Sequence, residues 1–133
     1  MTLVVDASVI AYFVMPDEGG LETDPLYDVL QRSVIVVPAI YWYEIRNIAL
    51  KAERRERLGS DRAEQVMRVI DAFPVTIVER LDAGQITRLA RRYALSFYDA
   101  SYLTLALERR INLATFDKRL AAAARAEGVL REA

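Results

Sequence analysis

Neither histidine nor cysteine occurs anywhere in the chain. Without cysteine there is no disulfide framework, no thiolate nucleophile and no zinc–thiolate site. The lack of histidine excludes more. Imidazole is the commonest metal ligand and the usual general base near neutral pH, so Ser-His-Asp triads, HExxH zinc sites and His-containing facial triads are all ruled out. No stretch approaches the ~20 apolar residues of a membrane helix, and no basic segment precedes an apolar one as in a secretory leader. A cytoplasmic location is the expectation. The net charge of −1 rules out a bulk polycation, so nucleic acid would have to be met by local basic patches. Any catalysis falls to carboxylates, or to Lys, Tyr or Ser. Oxygen-only ligands favour hard cations, Mg²⁺ or Mn²⁺ before Zn²⁺.

What is present suits one compact domain over residues 1–133, with 53% apolar residues for a core and 28% charged residues for a surface. Leu3-Val4-Val5 is a short β-rich run, and helical pattern follows from Ala7 to Met15. Pro16-Asp17-Glu18-Gly19-Gly20 breaks it. Asp24-Pro25 reads as an N-cap with proline at the first helical position, opening a helix to about Arg32. The β-branched run Val34–Val37, closed by Pro38, suits a strand buried on both faces. A long helix is expected from about Ala39 to Leu58, and another, capped by Ser60, through Phe73. Val75–Val78 reads as a strand, followed by helices at about 82–93 and 97–110. A short strand at Ile111–Thr115, a helix at Lys118–Glu127 and a candidate edge strand at Val129-Leu130 complete the order. Strands separated by helices imply an α/β fold with a mostly parallel sheet of four or five strands, covered on both faces. Ligand crevices in such folds lie beyond the carboxyl ends of the strands.

Four acids fall where that crevice should be. Asp6 directly follows the first strand and Asp117 the last clear one, with the hydroxyls of Ser8 and Thr115 two residues from each. Glu44 lies in the first turns of the helix after the second strand, bordering an apolar face of Tyr41, Ile45, Ile48, Ala49 and Ala52. Asp99 stands near the start of the helix after Tyr98. Like charges ~5 Å apart repel by roughly 3 kcal/mol at an effective dielectric of about 20. Four converging carboxylates would therefore raise their own pKa values or bind divalent cations. Mg²⁺ typically takes one or two carboxylates plus water and substrate phosphate, so a phosphodiester is the natural substrate. Each acid also has a purely structural reading. Asp6 and Asp117 precede helices and suit N-caps, Asp99 follows Ser96 at capping-box spacing, and Glu44 suits a helix dipole. Several of the other acids have local roles, such as Glu53 four residues before Arg57.

The segments Val4-Val5-Asp6-Ala7-Ser8, Val37-Pro38, Glu44 with Asn47, Tyr98-Asp99-Ala100 and Ala114-Thr115-Phe116-Asp117 together resemble a PIN domain. Within that family the chain is similar to the short VapC-type toxins of prokaryotic toxin–antitoxin pairs, over essentially its whole length. The resemblance implies a three-layer α/β/α sandwich and Mg²⁺- or Mn²⁺-dependent endoribonuclease activity. It implies that Asp6, Glu44, Asp99 and Asp117 are the catalytic, metal-binding quartet. By the same resemblance Ser8 and Thr115 support the acids or the metal's water, and Asn47 matches a polar position one helical turn past Glu44. Homodimers and a VapB-like antitoxin protein are the implied partners, beside the RNA substrate.

Candidate basic contacts to RNA are Lys51, Arg54 and Arg55 on the long helix, and Lys118 and Arg119 beyond Asp117, although an ordinary solvated face explains any one of them. Tyr98 and Phe116 could stack on bases; core packing is the expectation for both. Trp42 and Tyr43 suit either the core or a dimer contact. Three rival functions remain on sequence grounds. One is a stand-alone PIN nuclease of RNA processing, and another a non-catalytic α/β binding module. The third is a haloacid-dehalogenase-like phosphatase, which wants a second Asp where this chain has Ser8.

Overall fold

The computed structural model describes residues 1–15, 24–56 and 58–132. The Pro16–Gly20 turn and the Glu53–Arg57 pair therefore lie outside the described residues. Eleven elements follow in the order β1 Thr2–Val5, α1 Ala7–Val14, α2 Pro25–Arg32, β2 Val34–Pro38, α3 Ile40–Arg54, α4 Ser60–Ala72, β3 Thr76–Val78, α5 Ala83–Tyr93, α6 Phe97–Arg109, β4 Asn112–Ala114 and α7 Lys118–Ala126.

The four strands form one sheet in the order β3-β2-β1-β4, every neighbouring pair parallel. Val129-Leu130 contributes only an isolated parallel bridge, Leu113 to Leu130. The central strands are apolar without alternation because both of their faces are covered: Leu3, Val4 and Val5 of β1 and Ile35, Val36 and Val37 of β2 are all buried. From β1 to β3 the chain steps in one direction across the sheet, then doubles back to place β4 on the far side of β1. Right-handed crossovers then send α1 to α4 to one face and α5 and α6 to the other. The packing agrees, with α1, α3 and α4 against one another and α6 between α5 and α7. The reversal leaves a topological switch point between β1 and β4, where open parallel sheets present a crevice.

Helix α6 anchors the second layer. Tyr102, Leu103, Leu105 and Ala106 are fully buried against the sheet, and each leucine contributes roughly 1.5–3 kcal/mol through that burial. Most boundaries fall within one residue of the sequence expectation, and two differences stand out. Helix α3 ends at Arg54 rather than near Leu58, because Arg55 leaves helical geometry and Glu56 adopts φ 59°. The N-cap of α4 is Gly59, and Ser60 is its first helical residue.

Candidate active site

Asp6 continues the sheet ladder past β1, its N–H donating to the Ala114 carbonyl at 3.0 Å. Although it occupies the N-cap position of α1, its side chain makes no capping hydrogen bond. Its Oδ2 instead accepts from Ser8 Oγ at 3.0 Å and from Thr115 Oγ1 at 2.8 Å. Thr115 Oγ1 accepts in turn from the Asp117 N–H at 3.0 Å. The β1–α1 and β4–α7 connections are thus stitched together at the switch point. Ser8 and Thr115 together hold an acid that is itself only 6% exposed, Thr115 reaching it from the far connection and not only standing beside Asp117.

The other three acids reach the same edge from helix starts. Asp117 caps α7, its Oδ1 accepting the Leu120 N–H at 2.8 Å, so the structural reading holds for one of its oxygens. Asp99 lies in the first turn of α6, whose N-cap Ser96 accepts the Asp99 N–H at 3.0 Å. Glu44 is half-buried on α3 beside buried Tyr41, Ile45 and Ala49, and its Oε1 accepts from Tyr102 Oη at 2.6 Å. Asn47 is exposed one turn beyond.

Electrostatics ties these side chains into one group. Burial raises the Asp6 carboxyl above its ordinary value against the lowering effect of the Thr115 and Ser8 hydrogen bonds, and the Asp117 charge adds to the rise. Burial also raises Glu44, with Asp6 and Asp99 pushing the same way against the Tyr102 hydrogen bond. Asp99 is raised by burial first and then by Asp6 and Asp117. No basic side chain contributes to any of these three shifts. Among the described residues no three of the acids converge closely enough to share one ion, and two of the four are engaged elsewhere, Glu44 by Tyr102 and Asp117 by the α7 cap. As a donor set the four supply only carboxylate oxygens, which fits a hard divalent cation.

Tyr102 is the site residue that sequence reasoning missed. Its ring is fully buried, and burial, then Glu44, raises its hydroxyl far above the usual phenol value. It stands three residues after Asp99, so a helical period places both on one face; the apolar run around it hid the polar role. Core packing was the wrong expectation for two aromatics, because Tyr98 is 56% and Phe116 49% exposed. Tyr98 stands in the first turn of α6, and Phe116 in the link between β4 and α7. Tyr43 at 66% and Trp42 at 45% exposure are likewise outside the core. Lys51, Arg54, Arg55, Lys118 and Arg119 are all exposed, and Arg119 Nη1 donates to the Ala94 carbonyl at 3.1 Å.

Comparison with known proteins agrees with the geometry. Residues 3–126 match the PIN domain. Ribonuclease VapC3 of Pyrobaculum aerophilum is 30% identical over 124 residues, covering 91% of this chain and 93% of that protein. Among solved structures, PAE2754 from Pyrobaculum aerophilum superposes with a TM-score of 0.66 at 23% identity, covering 92% of this chain and 79% of its own. VapC20 from Mycobacterium tuberculosis, described as a toxin cleaving the sarcin–ricin loop, superposes with a TM-score of 0.57 at 19% identity and covers 91% and 94%. With the match spanning the sheet, all four acids and most of the chain, this protein belongs to the PIN domain family.

Proposed function

We propose that this chain is a divalent-metal-dependent endoribonuclease, the toxin of a toxin–antitoxin pair whose second member is a VapB-like antitoxin. One observation carries the reading. Asp6, Glu44 and Asp99 come from three distant stretches to one edge of a PIN sheet, each is raised first by burial and then by at least one other acid of the quartet, and none receives a compensating basic side chain. The 30% identical relative that bears the name Ribonuclease VapC3 supports the activity, and the likeness to VapC20, described as a toxin, accords with the toxin role.

The ion, Mg²⁺ or Mn²⁺, would be held among Asp6, Asp99 and Asp117, with one or two of them bound directly and the rest through water, and Glu44 would serve a second ion or the attacking water. A bound divalent ion would supply Lewis acidity and offset charge on the phosphate, work that histidine does elsewhere. The protein's own part is orientation. Ser8 and Thr115 fix one oxygen of Asp6. Tyr102 fixes one oxygen of Glu44 in the same way, and the Ser96 cap holds the first turn that carries Asp99. A homodimer belongs to the same reading, with exposed Trp42, Leu50 and Val69 on α3 and α4 as its apolar surface.

Incubation of total RNA with Mg²⁺ or Mn²⁺ tests the proposal, comparing wild type with Asp6→Asn and Asp99→Asn. Cleavage is expected from wild type alone and is lost on chelation. Cleavage that survives chelation and both substitutions overturns the reading. Co-purification with the product of a short upstream gene, and suppression of cleavage by it, tests the toxin role against a stand-alone nuclease.

A further inference from the structure

Beside the acids lies a groove of about 430 Å³ that the catalytic reading does not use. Its deeper surface is apolar, formed by Pro38, Val78 and Leu81, and its walls carry Tyr43, Phe97 and Tyr98. Those three aromatic side chains are 66%, 48% and 56% exposed. Exposed aromatics gathered on one concave surface are uncommon in a monomer and mark a contact for something else. Arg80 and Glu79 stand on the rim, and helices α3, α5 and α6 all begin at the groove.

Resting on the nuclease reading, we infer that this groove is a base-binding subsite, in which an unpaired nucleobase next to the cleaved phosphate stacks on Tyr98 and Tyr43. Position argues for it first. Tyr43 directly precedes Glu44 and Tyr98 directly precedes Asp99, so the groove and the acid cluster share the first turns of α3 and α6, on neighbouring faces of each. A base seated there leaves its own phosphate beside the carboxylates. Chemistry argues the same way. Single-stranded RNA is recognised by splaying bases onto aromatic faces and guanidinium planes, and the groove offers both, with phenol hydroxyls and Ser101 near base edges. Backbone phosphates following the base would meet Arg80 and the positive ends of three helices. An apolar protein segment would find less to match in this mixture of tyrosine and charge. The subsite also gives the enzyme a preference for unpaired over duplex RNA, since a paired base cannot leave its stack without cost.

The test uses the whole chain and a short single-stranded oligoribonucleotide containing a mapped cleavage site, together with copies carrying one abasic position each. One abasic position flanking the cut is expected to weaken binding roughly tenfold, the loss of one base–aromatic stack. Tyr98→Ala and Tyr43→Ala raise KM for the intact oligonucleotide by a similar factor and are indifferent to that abasic position, whereas Tyr98→Phe and Tyr43→Phe keep the affinity. Trp42, whose ring is 5.0 Å from that of Tyr43, gives a fluorescence readout of binding in chelator, without cleavage. Equal affinity for intact and abasic RNA, or alanine variants with unchanged KM, overturns the subsite. So does a loss confined to self-association or to antitoxin binding, which would make the groove a protein interface. Wild type that binds RNA base-dependently but never cleaves would sink the nuclease reading and leave the groove standing.

Discussion

At Asp6 two demands meet that an ordinary surface acid never faces together: burial, and a neighbouring negative charge. Two hydroxyl donors offset only part of this, so its folded-state pKa stays raised. The sign follows from linkage. Between the unfolded and the raised folded pKa the native state binds more protons, so stability falls as pH climbs through that interval and stays low above it. Asp6→Asn, which keeps an oxygen for Ser8 and Thr115, is therefore expected to melt above wild type at neutral pH in chelator. The gap should close below about pH 4, where the carboxyl is neutral in both states; thermal melts across pH measure it. Tyr102→Phe acts on the second held acid. Removing the donor leaves Glu44 Oε1 half-buried without its partner, and a hydrogen bond to a charged group is worth about 1.5–3 kcal/mol. Glu44 should protonate at higher pH, shifting the acid limb of the pH–rate profile upward and raising the Mg²⁺ or Mn²⁺ concentration needed for half-maximal activity. Unchanged values of both would show that Tyr102 only fills space.

Element ends carry the site, which explains what the sequence could and could not reveal. Asp6, Asp99 and Asp117 each follow a strand or open a helix, and such boundaries are marked in the chain by Pro38, Ser96 and the β-branched runs. Glu44 could be placed by helical phase alone, bordering an apolar face that the structure buries at Tyr41, Ile45, Ala49 and Ala52. Helix ends were less legible. The Arg- and Glu-rich stretch after Arg54 has good helical propensity, yet Glu56 turns left-handed there, and propensity says nothing of where tertiary packing ceases. Asp117 shows that a structural and a functional reading of one residue need not compete, because one oxygen caps α7. Substitution can separate them. Serine is as good an N-cap as aspartate, so Asp117→Ser should keep the melting temperature within about 0.5 kcal/mol of stability while abolishing RNA cleavage. Asp117→Ala should lose the activity and about 1 kcal/mol as well. Denaturant melts of the two variants beside wild type distinguish the roles.

Over the whole molecule, strand order was the part hidden from the sequence. Alternating strands and helices imply a parallel sheet, but nothing in β4 itself announces that it pairs with β1 instead of extending beyond β3. That one placement brings Thr115 to Asp6 across 109 positions, and it swings α6 to the face from which Tyr102 reaches Glu44 across 58. A site closed by contacts so distant in sequence forms only with the complete sheet, and ligands that bind it stabilise the entire fold. An ion that binds the native state alone adds RT ln(1 + [L]/Kd), about 2.7 kcal/mol at a hundredfold excess over Kd. For a chain of this length that corresponds to a rise of several degrees in Tm. Mn²⁺ or Mg²⁺ should produce that rise in wild type and little of it in Asp6→Asn or Asp99→Asn, since each removes a charge the ion would neutralise. The measurement needs no RNA, so it separates ion binding from catalysis. A wild-type Tm indifferent to both ions across millimolar concentrations would mean that the crowded carboxylates relieve their repulsion by protonation alone.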